Sequence, residues 1–109
     1  MAVTVKDVFP PARPSGVQAV FSSVGQKPFI DLTWTPNSET DLAGYYVYRR
    51  EAGEQATRLN AQPVQAPSFR DSDVRAGAKY FYSVVAVDVR GNASPASEEA
   101  SESVPADLH

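Results

Sequence analysis

The sequence predicts an all-β fold, a sandwich of seven short strands in two antiparallel sheets. Three observations support this prediction. Segments in which apolar and polar residues alternate recur along the 109 residues, as they do in half-buried strands. Turn-forming segments separate them, and the chain has nine prolines and six glycines, which is many for a helical protein. No segment combines a helical period with an apolar face that a helix could bury.

The first three predicted strands alternate most clearly. They span residues 16–22, 29–35 and 45–51. In the second of them Ile30, Leu32 and Trp34 would face the core, because every other residue of a strand points to the same side. The third follows a segment of turn formers, PNSETDLAG, and would place Tyr45 and Val47 on the core side.

The last four predicted strands include two short ones and one of low β-propensity. They span residues 56–60, 69–74, 79–89 and 94–104. Phe69 and Asp71 share one face of the fifth strand. Gly91 and Asn92 tolerate the positive φ that a tight hairpin needs, so the sixth and seventh strands would form a hairpin. Pro95 indicates that the seventh strand is an edge strand or contains a bulge.

The sixth strand is unusual because it is apolar on both faces. One face would carry Tyr80, Tyr82, Val84 and Ala86. The other would carry Phe81, Val85 and Val87. A strand in a small domain normally exposes one face to water, so the second apolar face needs an explanation.

Composition and charge exclude several classes of function. The net charge of −3 gives no electrostatic reason to bind nucleic acid or an anionic membrane. The chain has no cysteine, and its single histidine is His109, so thiol catalysis and a serine–histidine–aspartate site are not expected. No apolar run is long enough for membrane insertion, and no signal peptide is visible in this chain. We predict no catalytic residue, no cofactor and no metal site.

Five aspartates could suggest a catalytic or calcium site. They are Asp31, Asp41, Asp71, Asp73 and Asp88. They fall at turns and strand ends, where aspartate commonly accepts hydrogen bonds from local backbone N–H groups. The only close pair, in the segment DSD, lacks the glycine and glutamate of a calcium loop. We therefore expect structural roles for all five.

Several motifs, in this order and spacing, resemble a fibronectin type III domain. They are PSGV at residues 14–17, DLTW at 31–34, DLAGYYVYR at 41–49, FRDSDVRAGAKYFYSVVAVD at 69–88 and VDVRGNASPAS at 87–97. The last is typical of the family's members in exported bacterial proteins. The sequence departs from the family pattern at Ala76 and Ala78, where proline and threonine are common, which leaves the local turn geometry open.

The resemblance implies a seven-stranded immunoglobulin-like β-sandwich with the family's two sheets, A-B-E and C′-C-F-G. The domain would span residues 14–104, after an extended proline-rich lead-in or linker at 1–13 and before a tail at 105–109. The implied structural core contains Trp34, Tyr45, Val47, Tyr80, Tyr82 and Val84. Tyr80 would form the family's tyrosine corner, its hydroxyl bonded to the backbone of the preceding turn.

The assignment of faces also defines a candidate partner-binding face on the outside of strands C and F. It contains Tyr46, Tyr48, Phe81, Val85 and Val87. Such a face could bind a protein or stack against sugar rings. Alternatively, the stems of Arg50 and Arg58 could cover it, and its residues would then only stabilise the sheet.

The function implied is that of a non-catalytic module, a rigid spacer or interaction domain in a larger, exported bacterial protein. The alternative is a binding module that uses the outer face for a carbohydrate or protein partner. The expected partners are neighbouring domains of the same polypeptide, with a protein or a polysaccharide as a further option. We expect a monomer, with weak self-association through the outer face as the alternative, located outside the cell, in the periplasm or on the cell surface.

Overall fold

The computed structural model describes residues 10–23 and 27–106. Residues 1–9 of the predicted lead-in, residues 24–26 of a predicted turn, and residues 107–109 of the predicted tail with His109 lie outside the described residues. The described chain forms seven strands: β1 (Ser15–Ser22), β2 (Phe29–Thr35), β3 (Leu42–Glu51), β4 (Thr57–Arg58), β5 (Ser68–Asp71), β6 (Lys79–Asp88) and β7 (Ala100–Ser103). All seven predicted strands are present at the predicted places in the chain.

The strands form two antiparallel sheets, one of order β1-β2-β5 and one of order β4-β3-β6-β7. This order corresponds to the sheets A-B-E and C′-C-F-G of the resemblance. The prediction of an all-β, seven-stranded immunoglobulin-like sandwich is therefore confirmed.

The core lies between the two sheets and is built from alternate residues of β2, β3 and β6. The six residues implied as core are all buried: Trp34, Tyr45, Val47, Tyr80, Tyr82 and Val84. The Trp34 and Tyr45 rings meet edge to face, with their centroids 5.2 Å apart, a favourable geometry for aromatic pairs. The Tyr80 hydroxyl accepts a hydrogen bond from the backbone N–H of Arg75 at 3.0 Å, which is the arrangement of a tyrosine corner.

Strand β3 begins at Leu42, three residues earlier than predicted, because Leu42 pairs with Asp88 and Gly44 with Val87 of β6, with an irregularity between the two pairs. Gly44 has a φ of 151°, and a Cβ atom there would lie 2.7 Å from the carbonyl oxygen of Val64. That same carbonyl accepts the backbone N–H of Tyr45 at 2.8 Å. A glycine is needed here because any side chain would collide with the backbone.

Strand β7 is shorter than predicted. In place of its first half, two serines form hydrogen bonds with β6 through their backbone N–H groups and their hydroxyls. The N–H of Ser94 donates to the Ala86 carbonyl at 2.8 Å, and the Ala86 N–H donates to the Ser94 hydroxyl at 2.9 Å. Ser97 and Val84 exchange an equivalent pair of hydrogen bonds, both at 2.9 Å. The two hydroxyl oxygens thus accept the backbone N–H groups of β6 at the place where Pro95 interrupts a regular strand.

Candidate functional site

The candidate partner-binding face lies on the outer side of the four-stranded sheet, where β3 and β6 pair. Strand β3 contributes Tyr46 and Tyr48, and β6 contributes Phe81, Val85 and Val87. The pairing register sets Tyr46 opposite Val85. We call these five residues the outer aromatic face.

Cationic side chains cover two of its three aromatic rings. The Arg58 guanidinium lies 4.4 Å from the centre of the Tyr46 ring, and the Arg50 guanidinium lies 4.5 Å from that of Phe81. Arg50 is held in place by Glu99, which accepts from its Nε and Nη2 atoms at 2.6 and 2.7 Å. These hydrogen bonds keep the pKa of Glu99 below its ordinary value. Both stacked contacts are attractive, because a ring face carries partial negative charge.

The rest of the outer aromatic face is only partly accessible. Tyr48 and Val85 are half-buried, and in the described part of the chain no cation stacks on the Tyr48 ring. Val87 is only 8% exposed, since it lies between β3, where it pairs with Gly44, and a bridge to Ala93. The expectation that Val87 offers contact surface to a partner is therefore wrong.

A buried charged cluster that the sequence analysis missed joins the two sheets. Asp71 of β5 is 4% exposed, and its carboxylate accepts from Arg49 Nη1 at 2.9 and 3.1 Å and from the Tyr82 hydroxyl at 2.7 Å. Burial, with Asp71 alongside, raises the pKa of Tyr82 well above its ordinary value, so this hydroxyl remains a donor. The alternation of the two strands could have indicated this cluster, because it puts Asp71 on the same face as Phe69 and Arg49 on the same face as Val47.

Three other aspartates considered as site residues also have structural partners, whereas the exposed Asp73 side chain makes no hydrogen bond within the described residues, contrary to the expectation for all five. Asp31 pairs with Arg70 at 2.8 Å, and Asp41 pairs with Arg90 at 3.2 Å. Asp88 accepts two backbone N–H groups of the hairpin turn that follows it, both at 2.9 Å. In these positions the carboxylates neutralise arginines or shape turns, and no two of them form an acid–base pair.

Within residues 10–23 and 27–106, no three histidine, cysteine, aspartate or glutamate side chains are grouped so that they could hold a metal ion. The same residues include no helix long and apolar enough to span a membrane.

Comparisons with known proteins agree with this architecture. A family profile described as the fibronectin type III domain matches residues 12–103. The chain belongs to the fibronectin type III family. A solved structure of an Fn3-like protein from Clostridium thermocellum superposes with a TM-score of 0.70 at 32% identity, covering 91% of this chain and 98% of that one.

The similar curated proteins are much longer than this domain. An amylopullulanase from Thermoanaerobacterium thermosulfurigenes is 33% identical over 95 residues, which is 87% of this chain and 5% of that protein. An alpha-amylase from Niallia circulans is 32% identical over 108 residues, which is 96% of this chain and 7% of that protein. The chain therefore spans only a small part of the length of these bacterial enzymes.

Proposed function

We propose that this fibronectin type III domain is a non-catalytic module that holds neighbouring domains of a larger bacterial carbohydrate-active enzyme at a fixed separation. The two similar enzymes named above are amylolytic by name, and the domain corresponds to 5–7% of their length. Asp71, the carboxylate of the buried cluster, is bonded to Arg49 and to the Tyr82 hydroxyl, which is a structural arrangement. The parent protein would act outside the cell, because polysaccharides do not cross membranes.

The observation that carries the spacer role is the covered outer aromatic face. Sugar binding by stacking requires an open ring face, and the guanidinium groups of Arg58 and Arg50 occupy those of Tyr46 and Phe81. A ligand would have to displace both cations and break the Arg50–Glu99 ion pair. The face therefore stabilises the sheet, and this explains why β6 is apolar on both sides.

Tyr48 is the observation that favours the alternative, a binding module for a polysaccharide or a protein. It is half-buried on the same face, and no cation stacks on its ring within the described residues. A single ring without a stacked cation can form one stacking contact with a sugar.

Affinity electrophoresis distinguishes the two functions. The domain is run through gels that contain soluble amylopectin or pullulan, beside Tyr48→Ala, Arg58→Ala and the control Val89→Ala, which truncates an exposed valine at the far hairpin. We expect the same mobility with and without polysaccharide for the wild type. Retardation that Tyr48→Ala abolishes and Val89→Ala preserves would overturn the spacer role. Retardation that appears only in Arg58→Ala would show that the guanidinium closes the face.

A further inference from the structure

The end of the predicted lead-in is bonded to the body of the domain. The backbone of Ala12 is held from both sides: its N–H donates to Glu39 Oε2 at 2.8 Å, and its carbonyl accepts from Asn37 Nδ2 at 2.8 Å. Arg13 Nε donates to the carbonyl of Ala96 at 2.7 Å. These contacts join residues that lie 25 to 83 positions apart in the sequence, so they are tertiary contacts.

The two residues that hold Ala12 are themselves anchored to the core. The backbone N–H of Asn37 donates to the Tyr45 hydroxyl at 2.7 Å, and Tyr45 is buried against Trp34. Glu39 follows Asn37 in the same turn, and its carbonyl accepts the N–H of Leu42 at the start of β3. The position of Ala12 is therefore set by the core through one turn between β2 and β3.

Prolines stiffen the chain on both sides of this contact. Pro11 and Pro14 are buried, and proline fixes φ while restricting the residue before it to extended conformations. Arg13 precedes Pro14 and is therefore restricted to extended conformations. Its two exposed residues, Ala12 and Arg13, both make the hydrogen bonds described above.

We propose that Asn37 and Glu39 form a clamp on Ala12 that fixes the direction in which the preceding polypeptide leaves this domain. The clamp excludes residues 11–13 from any hinge toward a preceding domain. A free linker through residue 13 would let the two domains swing about the start of β1. With the clamp in place, at least three residues (11–13) are no longer free to bend, so the domain has a defined orientation relative to its neighbour. This inference rests on the proposed spacer role.

NMR relaxation of the whole chain tests the clamp. Backbone order parameters are measured for the wild type, Glu39→Ala and Asn37→Ala, with Glu54→Ala as control. Glu54 is an exposed glutamate whose side chain makes no hydrogen bond within the described residues. We expect Ala12 and Arg13 to have the order of the strands, about 0.85, in the wild type and in Glu54→Ala. In both clamp variants their order should fall below about 0.6.

A conservative variant separates the clamp from a general loss of stability. Glu39→Gln keeps an oxygen that can accept the Ala12 N–H, so it should restore the order that Glu39→Ala removes. Mobile Ala12 and Arg13 in the wild type would overturn the proposal. Unchanged order in both Glu39→Ala and Asn37→Ala would also overturn it. If one clamp variant lowers the order of the strands as well, the other clamp variant is used for the comparison, and mobile Ala12 and Arg13 in the wild type would still refute the clamp.

Spin labels then measure the direction itself. The chain has no cysteine, so Ala12→Cys, which keeps the backbone groups that the clamp holds, and Gln55→Cys give two label sites at exposed positions. We expect one narrow distance distribution between the labels, which Glu39→Ala broadens and Glu54→Ala does not. A distribution equally broad in all three backgrounds would contradict a fixed direction. The polysaccharide gels test the spacer role independently, because retention there would leave the order of Ala12 unchanged.

Discussion

At the scale of single residues, the least predictable feature is the charge buried between the sheets. Asp71 accepts from Arg49 of β3 and Tyr82 of β6, so one carboxylate fastens the two sheets at their β5–β3 edge. Alternation puts Arg49 on the same side of its strand as Tyr45 and Val47, and Asp71 on the same side of its strand as Phe69. It could not predict that they meet, because their contact depends on the separation and offset of two different sheets.

Replacing Asp71 should cost far more than replacing its neighbour Asp73. Asp71→Ala leaves Arg49 and the buried Tyr82 hydroxyl without their acceptor, and we expect the free energy of unfolding to fall by about 3 kcal/mol. Asp73 is exposed, and its side chain makes no hydrogen bond within the described residues, so Asp73→Ala should change it by less than about 0.5 kcal/mol. Urea denaturation followed by circular dichroism measures both. Equal losses in the two variants would show that Asp71 is not the tie between the sheets.

At the scale of elements, the sequence predicted which strands exist better than where they end. Strand β2 was predicted at its observed bounds, because its alternation is complete. Strand β7 was predicted to begin at residue 94 and begins at Ala100. There the hydroxyls of Ser94 and Ser97 accept the N–H groups of β6 that the carbonyls of a regular strand would accept. The spacing of apolar residues cannot predict such side-chain hydrogen bonds.

The hydrogen bonds that Ser94 and Ser97 form with β6 should contribute measurably to stability. Ser97→Ala leaves the buried N–H of Val84 without an acceptor, since the Ser97 hydroxyl is its partner at 2.9 Å. We expect a loss of about 1–3 kcal/mol in the free energy of unfolding. Ser101→Ala, at an exposed position of β7, is the matched control and should be nearly neutral. A loss for Ser97→Ala no greater than the control's would mean that water or a shifted backbone replaces the hydroxyl.

Because of Asp88 in the hairpin between β6 and β7, the free energy of unfolding should decrease at acidic pH. Burial raises the pKa of Asp88, but hydrogen bonds from Asn92 and the N–H of Arg90 outweigh it, so the pKa is lower than in the unfolded chain. The unfolded state then binds more protons, and stability falls as the pH drops through the folded-state pKa of Asp88. Asp88→Asn should be less stable than the wild type at neutral pH, and its free energy of unfolding should fall less on acidification.

Thermal unfolding across a pH series gives this comparison. Asp73→Asn, which removes a carboxylate from an exposed site, should retain the wild-type pH dependence. An Asp88→Asn variant whose stability falls with acid as steeply as that of the wild type would show that other carboxylates are responsible.

At the scale of the whole molecule, the two sheets are fastened along both of their long edges. The Asp71 cluster joins them at one edge. At the other, the N–H of Phe21 in β1 donates to Glu102 Oε2 in β7 at 2.9 Å. The hydrophobic core lies between these two polar ties. The sequence predicted the core and the sheet order, but the cross-sheet ties and the clamp on Ala12 depend on side chains whose partners are distant in sequence.

The two edge ties should act independently. Glu102→Ala should lower the free energy of unfolding by about 0.5–1.5 kcal/mol. In the double variant with Asp71→Ala, the two losses should add to within about 0.5 kcal/mol, because the sites share no partner. A coupling energy well above that value would indicate that the sheets shift as rigid bodies when either edge is released.

Trp34 also gives the protein an internal optical reporter. It is the only tryptophan of the chain, it is 5% exposed, and its ring meets that of Tyr45 at 5.2 Å. Its fluorescence should therefore be blue-shifted and sensitised by energy transfer from tyrosine when the domain is folded. The Tyr45 hydroxyl accepts the N–H of Asn37, which holds the entering chain, so one emission band can follow both global unfolding and changes at the clamp without any added dye.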